Sequence, residues 1–143
     1  MFRDAQFERT LMSSVFEIAA SGLRAQSRAL EVSANNVANV LSLGVHPDPA
    51  QAKPEAFTPQ RAAFVSSAYG GVEAKAVPIS PPAYLSRQPD HPDADPDGLV
   101  PLPNVSLEQE MVNQIVALRM FEANVKVIQT QDRMLGAVLD IVS

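Results

Sequence analysis

The residues with the clearest chemical potential form a short acidic segment in the second half of the chain. Acidic side chains and a glycine occupy the first, third, fifth and sixth positions of a calcium loop of the EF-hand type: Asp93, Asp95, Asp97 and Gly98. Position twelve, which supplies a bidentate glutamate in such loops, is Asn104, and Pro96 interrupts the segment. We therefore interpret it as an acidic turn and expect no metal site.

Residues suited to catalysis are scarce elsewhere. Only His46 and His91 titrate near neutral pH, and both lie beside prolines in expected loops. The sequence contains no cysteine, no Gly-x-Ser-x-Gly elbow, no phosphate loop and no His-Glu-x-x-His pair. Glu108 and Glu110 fall in the first turn of a predicted helix, where carboxylates favour the positive end of the dipole. We expect neither an enzyme nor a protein that binds a cofactor or a small-molecule substrate.

Composition narrows the class of protein further. The 143 residues are 46% hydrophobic, which suits one domain with a core. Lys and Arg number 11 against 16 Asp and Glu, so the formal charge of -5 argues against a nucleic-acid binder, which needs a basic surplus. The first residues mix charges with apolar side chains, unlike a cleaved signal peptide, and no stretch is apolar for long enough to span a membrane.

Proline divides the chain into segments. All 12 prolines lie between Pro47 and Pro103, so the flanking segments are free to form long helices and the middle is not. We predict a flexible extension over residues 1–12, an N-terminal helix over 13–43, a Pro-rich middle over 44–103 and a C-terminal helix over 104–143.

The N-terminal helix is predicted to begin near Ser14, which forms a capping-box spacing with Glu17. Apolar residues then recur every seven positions, and Gly44 and Pro47 follow as stop signals. The recurring residues are Phe16, Leu23, Leu30 and Val37.

The C-terminal helix is predicted to begin at Ser106, with Gln109 as its capping partner. Sampling every 3.5 residues gives a largely apolar seam, which is typical of a coiled coil. The seam comprises Leu107, Met111, Gln114, Leu118, Phe121, Val125, Ile128, Asp132, Leu135, Leu139 and Val142. We predict a mainly α fold in which the two terminal helices pair as an antiparallel coiled coil.

A second apolar stripe runs along the opposite side of the same helix. Its members are Val112, Val116, Met120, Ala123, Val127, Met134, Val138 and Ile141. One partner helix covers only one of the two faces, so the surplus apolar surface predicts packing between molecules.

Three asparagines close the first helix, although asparagine is a poor helix former. We predict a seam through Leu30 and Val37, which leaves Asn35, Asn36 and Asn39 on the far side. A neutral amide both donates and accepts, so these residues suit burial between protein neighbours, where they would fix register. The alternative is local capping at a polar helix end.

The middle segment is expected to hold one β-hairpin, over about 57–79. Alternating residues from Val72 to Val77 follow Gly70 and Gly71, which predicts two strands joined at these glycines. The prolines from Pro81 to Pro103 predict an extended connector that lies against neighbouring subunits.

The two flanks also carry a family resemblance. "SSVFEIAASGLRAQSRALEVSANNVANV" resembles the N-terminal helix of bacterial flagellar rod and hook proteins, and "HPDADPDGLVPLPNVSLEQEMVNQIVALRMFEANVKVIQTQDRMLGAVLDIV" resembles the C-terminal half of those in the proximal rod. The residues that match the family motifs are Asn35, Asn36, Asn39, Glu110, Met111, Asn113, Ala123, Asn124 and Val125. The chain departs from the family in "LSLGVHP", where Leu41 and Ser42 replace Asn-Thr and Val45 replaces an aromatic residue.

The resemblance implies a structural subunit of the flagellar basal-body rod, which crosses the periplasm. It also implies self-assembly with copies of the chain and with other rod proteins, and export by the flagellar type III apparatus without a cleaved signal. The helix-pairing residues are then expected to be Phe16, Leu23, Leu30, Val37, Leu107, Met111, Leu118, Phe121, Val125, Ile128 and Leu135. The alternative hypothesis is a soluble coiled-coil adaptor or secretion chaperone that forms a discrete oligomer.

Overall fold

In the computed structural model of this chain, two long helices precede and follow two β-hairpins in the sequence. The structure describes residues 2–43, 50, 57–68 and 70–142. The elements follow in the order α1 (Phe2–Ala38), β1 (Gln60–Ser66), β2 (Val72–Pro78), β3 (Ala83–Arg87), β4 (Leu99–Pro103) and α2 (Leu107–Val142). The fold is mainly helical, as predicted.

The helix α1 is longer than the sequence pattern predicts. It begins at Phe2, so the predicted start at Ser14 and the predicted separate extension over residues 1–12 are wrong. Residues 2–13 contain neither proline nor glycine and include Ala, Leu, Met, Gln, Glu and Arg, which are good helix formers. Nothing in this segment stops the helix, and Ser14 therefore lies inside it.

The helix α1 ends through tighter turns around the asparagines. Beyond Ala38, the backbone N–H of Asn39 is shared between the carbonyls of Asn35 and Asn36, each at 3.2 Å. The N–H of Ser42 then donates to the carbonyl of Asn39 at 2.9 Å. Such turns satisfy the last carbonyls of a helix. The predicted stop signals at residues 44 and 47 lie outside the described residues.

The predicted hairpin is confirmed as the antiparallel pair β1 and β2, in which Gln60 pairs with Pro78 and Ser66 with Val72. Gly70 and Gly71 adopt φ of 88° and 83° in the turn, a region that favours glycine. Along β2, the partly buried Val72, Ala74 and Ala76 alternate with the exposed Glu73 and Lys75, and Val77 is partly buried as well. The hairpin therefore packs one face on the molecule, and that face lies on α1.

The predicted extended connector is wrong, because its ends form a second hairpin. Strand β3 pairs antiparallel with β4, with Leu85 opposite Pro101 and Ala83 opposite Pro103. Alternate N–H groups of a two-stranded sheet point away from the partner, so prolines two residues apart are tolerated there. The acidic turn joins these strands, and Asp95 Oδ1 accepts hydrogen bonds from the N–H groups of Asp97 and Leu99.

The start of α2 agrees with the sequence prediction. Helix α2 begins at Leu107, and Ser106 caps it, since its Oγ accepts a hydrogen bond from the N–H of Gln109 at 3.2 Å. The Ser106 hydroxyl also contacts Glu108 Oε2 at 2.9 Å. The pKa of Glu108 is lowered by its own backbone N–H and by this hydroxyl. The Gln109 side chain bonds Asn113 instead of closing the capping box.

The helices α1 and α2 pack along each other, and small residues allow a close approach. A Cβ atom built on Gly22 would lie 2.6 Å from Asn124 Oδ1 and 2.8 Å from its Cγ. Asn124 is held by a hydrogen bond from its Nδ2 to the carbonyl of Met120 at 2.8 Å. Gly22 is therefore required where the two helices meet.

Two glycine replacements should consequently have opposite effects. Gly136→Ala meets nothing within 4 Å, so the better helix propensity of alanine should stabilise the protein by up to about 1 kcal/mol. Gly22→Ala gains the same propensity but displaces Asn124, and we expect a net loss of about 1–2 kcal/mol. Urea denaturation followed by circular dichroism measures both. Equal stabilisation by the two changes would contradict the close contact.

Candidate assembly surface

The inner face of α1 is built from small and polar side chains. Among the α1 residues whose side chains the structure describes, the buried ones are Ala19, Ser21, Gly22, Ala25, Val32, Ser33 and Asn36. The predicted seam residue Leu30 is 40% exposed, and Ala34 and Leu41 are also exposed. The buried face is therefore rotated from the predicted seam toward the asparagines, because the small residues of this face let α2 and the hairpin approach.

The inner face of α2 shares only half of the predicted seam. All but one of its buried or partly buried residues follow heptad spacing: Glu110, Gln114, Ala117, Phe121, Asn124, Ile128, Gln131 and Leu135. The exception is Val125, a member of the predicted seam. Gln114, Phe121, Ile128 and Leu135 belong to the predicted seam as well. In place of Met111 and Leu118, however, the structure buries Glu110 and Ala117, each one residue earlier. The predicted seam and the observed inner face are thus two frames of the same heptad repeat, which share every second position. The frame that α2 turns inward is the more polar of the two.

Asn36 joins three elements through a fully used amide group. Its side chain is 1% exposed. The Nδ2 atom donates to Glu110 Oε1 of α2 at 2.7 Å and to the carbonyl of Gln60 in β1 at 2.6 Å. The Oδ1 atom accepts from the N–H of Gln60 at 3.0 Å. The predicted far-side position of Asn36 is thus wrong, and the amide is buried within its own chain.

Glu110 is the acidic member of this cluster and is 6% exposed. Besides Asn36, its carboxylate accepts a hydrogen bond from Asn113 Nδ2 at 3.3 Å. Its backbone carbonyl accepts from Ser33 Oγ at 3.2 Å. In the part of the chain that the structure describes, no buried side-chain nitrogen or oxygen lacks a hydrogen-bond partner. The cost of burying the carboxylate is therefore offset by hydrogen bonds from neutral donors.

The other motif residues occupy different environments. Asn39 follows the local-capping alternative, because its Nδ2 donates to the carbonyl of exposed Asn35 at 2.9 Å. Ala123 is exposed, and Asn124 faces Gly22. The three asparagines at the end of α1 therefore have two roles. Asn36 makes buried hydrogen bonds to Glu110 and Gln60, whereas Asn35 and Asn39 form the polar end of the helix.

The turn of the first hairpin rests on α1 at Ser21. Its hydroxyl donates to the carbonyl of Ile18 at 2.6 Å and accepts from the N–H of Val72 at 3.0 Å. A Cβ on Gly71 would collide with the Ser21 hydroxyl. The hairpin is thus attached to α1 at both ends, at Ser21 and at Asn36.

The outer surface of α2 is rich in large apolar side chains. The second predicted stripe is exposed, so the part of the chain that the structure describes does not cover it. Its exposed fractions are Val112 53%, Val116 49%, Met120 51%, Val127 44%, Met134 50%, Val138 41% and Ile141 84%, and Ala123 is exposed too. We call these eight residues the α2 stripe. Met111, Ile115 and Leu118 form a further exposed apolar group beside it, at 63%, 59% and 51%.

An open groove of about 750 Å³ lies beside the N-terminal part of the α2 stripe. Its apolar lining includes Val32 of α1, Phe64 of β1, and Val116 and Met120 of α2. Arg61 and the buried Glu110 are the charged residues that line it. Because Val116 and Met120 belong to both features, the groove adjoins the α2 stripe.

The predicted pairing residues divide by exposure. Phe16, Leu23, Val37, Phe121, Val125, Ile128 and Leu135 are partly buried, whereas Leu30, Leu107, Met111 and Leu118 are exposed. Sequence reasoning missed the contributions of Ala19, Gly22 and Ala25 to the interface. Their regular three-residue spacing was the available signal, since small residues at i, i+3 and i+6 mark a close helix contact.

The described residues offer no other kind of site. Within them, no group of three or more His, Cys, Asp or Glu side chains is placed to hold a metal ion. No helix in the described ranges has both the length and the apolar character needed to cross a membrane.

Comparison with protein families gives two matches, one in each terminal helix region. A family model described as "Flagella basal body rod protein" matches residues 16–40. A second, described as "Flagellar basal body rod FlgEFG protein C-terminal", matches residues 98–141. The matched segments contain Asn36 and Glu110, whose side chains form the buried hydrogen bond between the helices.

Curated relatives cover most of the chain. It is 44% identical over 119 residues to the flagellar basal-body rod protein FlgC of Yersinia enterocolitica, an alignment that covers 82% of this chain and 87% of the relative. It is 40% identical over 124 residues to FlgC of Salmonella typhimurium, with 85% and 91% covered. FlgC of Borreliella burgdorferi is 34% identical over 149 residues, with 92% and 97% covered.

Proposed function

Because this chain belongs to the flagellar basal-body rod protein C family and is a structural subunit of the basal-body rod, we propose that its α2 stripe packs against neighbouring rod subunits. The observation that carries this proposal is the distribution of side-chain size. Most large aliphatic residues of α2 lie outside, while the fully buried residues of the two helices are mainly Ala, Gly, Ser, Asn, Gln and Glu, and only a few large apolar side chains such as Phe121, Ile128 and Leu135 are partly buried among them. A protein that functioned alone would bury the large residues instead.

The apolar surface is large enough to drive assembly. A fully buried aliphatic side chain contributes about 1.5–3 kcal/mol relative to an exposed one. The α2 stripe runs from Val112 to Ile141, which is about 44 Å at 1.5 Å per residue. Most stripe residues are about half exposed in the single chain, so each gains about half of the value for full burial when it is covered. A neighbour that covered four of them would gain about 3–6 kcal/mol before the entropic cost of association.

The paired helices form an antiparallel coiled coil in this proposal. Two sets of contacts support it. Asn36, near the end of α1, contacts Glu110 near the start of α2, whereas Gly22 lies opposite Asn124, further along α2. The heptad spacing of the inner residues of α2 is the repeat of such a pair.

The partners are copies of this chain and other proteins of the flagellar rod. Family membership supports this assignment, as do the exposed stripe and the nearly uncharged groove. Export by the flagellar type III apparatus follows from the same membership. The terminal helices act as the rod-forming segments, and the two hairpins between them form a separate middle region. Neither catalysis nor nucleic-acid binding belongs to this role.

The direct experiment is genetic. The host is a bacterium of a motile species from which the gene for its own rod protein C has been deleted. It receives this chain with an internal epitope at Ala50, in the connector between α1 and β1. Recovery of the epitope in purified basal bodies, together with restored swimming, is the expected result. If the chain stays outside the basal bodies and forms a discrete soluble oligomer by light scattering, the adaptor alternative replaces this proposal.

A further inference from the structure

We propose that the Asn36–Glu110 pair sets the axial register between α1 and α2 and, with it, the position of the first hairpin. This pair joins two distant parts of the chain within 2.7 Å in a buried environment. The inference concerns the fold of one chain and does not depend on the partners named above.

Apolar contacts alone do not distinguish neighbouring registers of this helix pair. Phe121, Ile128 and Leu135 of α2 stand seven residues apart. A slip of seven residues therefore brings one large apolar side chain into the place of another. The inner face of α1 discriminates little, because it offers small residues such as Ala19 and Ala25 over the same length. Some feature that occurs once is needed to select one register.

The buried polar pair has this property, because each slip separates its members. If α2 moves by seven residues in one direction, Ala117 faces Asn36, and the amide loses its acceptor. In the other direction, Glu110 faces Ala29, and its carboxylate loses the Asn36 donor and keeps only the longer hydrogen bond from Asn113 of the same helix. Both alternatives leave a buried polar group without its partner, which is strongly unfavourable. The same logic explains single polar pairs that fix register in coiled coils.

Asn36 extends this selection to the hairpin. Its amide also holds both backbone groups of Gln60, the first residue of β1. The hairpin turn contacts α1 separately, where Ser21 accepts from the N–H of Val72. Because the Asn36 side chain bonds both α2 and β1, it couples the register of the helices to the position of the hairpin. The groove between α1, β1 and α2 then has one defined shape.

Disulfide formation in the purified chain tests the register, because the sequence contains no native cysteine. Gly22→Cys with Asn124→Cys reports the observed register, since a Cβ on Gly22 would contact the Asn124 side chain. Two further reporters detect a slip in either direction. They combine Gly22→Cys with Ala117→Cys or with Gln131→Cys, and both carry Asn124→Ala to remove the collision.

The decisive background is the double variant Asn36→Leu with Glu110→Leu. Replacing both members avoids a buried unpaired charge, so the helices should still form. We expect unchanged helix content by circular dichroism and a rise of about tenfold or more in one slipped disulfide, because a buried hydrogen bond to a charged group no longer selects the register. Asn39→Leu with Glu108→Leu is the matched control and should leave the reporters as in the parent.

Three results would overturn the inference. The first is a double variant that forms only the disulfide of the observed register. The second is a double variant that loses its helices, since the pair would then be needed for folding itself. The third is a parent chain that forms slipped and observed disulfides equally. Because dilute purified protein is used, failure of rod assembly would not affect the outcome.

Discussion

Val127→Asp is expected to abolish rod assembly and swimming while leaving the isolated chain folded. Val127 is 44% exposed in the middle of the α2 stripe, so the single chain tolerates a carboxylate there. Val and Asp have similar helix propensities, so within α2 the change costs little. If a neighbour covers the stripe, the new charge is buried without a partner, at a cost of several kcal/mol. Swimming in soft agar and recovery of the chain in basal bodies measure the effect.

The control is Gln129→Asp, which adds the same charge two residues away on the exposed side of α2 outside the stripe. Swimming should persist in this variant. Circular dichroism of both purified variants should match that of the parent, which separates a failure of assembly from a failure of folding. Normal swimming of the Val127→Asp strain would mean that no neighbour covers this part of the stripe.

Asn36→Asp should be the most damaging conservative change within the chain itself. The substitution places a second carboxylate where Nδ2 now lies, 2.7 Å from Glu110 Oε1. It also removes the donor to the carbonyl of Gln60. Disrupting a buried pair of this kind costs about 3–5 kcal/mol, which is a large part of the 5–15 kcal/mol typical of a folded domain. The midpoint of urea unfolding should fall accordingly.

Asn39→Asp provides the matched comparison, because it makes the same chemical change three residues later. The Asn39 side chain makes only local hydrogen bonds: its Nδ2 donates to the carbonyl and side chain of Asn35, and its Oδ1 accepts from Ser42 Oγ at 3.3 Å. We expect its loss of stability to stay below about 1 kcal/mol. Similar losses of stability in the two variants would contradict the role of Asn36 in joining α1, α2 and β1.

The sequence predicts the presence of the two helices and the start of α2, because the apolar periodicity is long and uninterrupted, but it places the start of α1 twelve residues too late. It does not predict which frame of the α2 repeat is buried. Hydrophobicity favours Met111 and Leu118, whereas the structure buries Glu110 and Ala117. The usual rule assumes that a chain buries its own largest apolar residues. In our account this chain leaves them for its neighbours, so the rule selects the wrong frame.

The asparagines show the same limit at the level of single residues. The sequence correctly indicates that an amide suits a buried position that needs both a donor and an acceptor. It gives no means of identifying Asn36, rather than Asn35 or Asn39, as the buried one. The partner groups are Gln60 and Glu110, which lie 24 and 74 residues away. Only the packing of three separate elements brings these groups together.

Of the two hairpins in the middle of the chain, the sequence predicts only the first. Gly70, Gly71 and the alternation along β2 are local signals, and they predict the first hairpin correctly. The second hairpin was missed because Pro101 and Pro103 argue against a strand. A two-stranded sheet accepts them, since every second N–H group points outward. Whether a proline is tolerated thus depends on the number of strands, which local sequence does not reveal.

The central claim is that other molecules cover the α2 stripe in the rod. Its most direct test is thiol labelling of a Val127→Cys chain, since the parent has no cysteine to react. The labelled fraction is compared in the isolated chain, in purified basal bodies and in the same basal bodies after denaturation. We predict fast labelling of the isolated chain and strong protection in basal bodies that denaturation removes. Equal labelling in all three samples would contradict the claim.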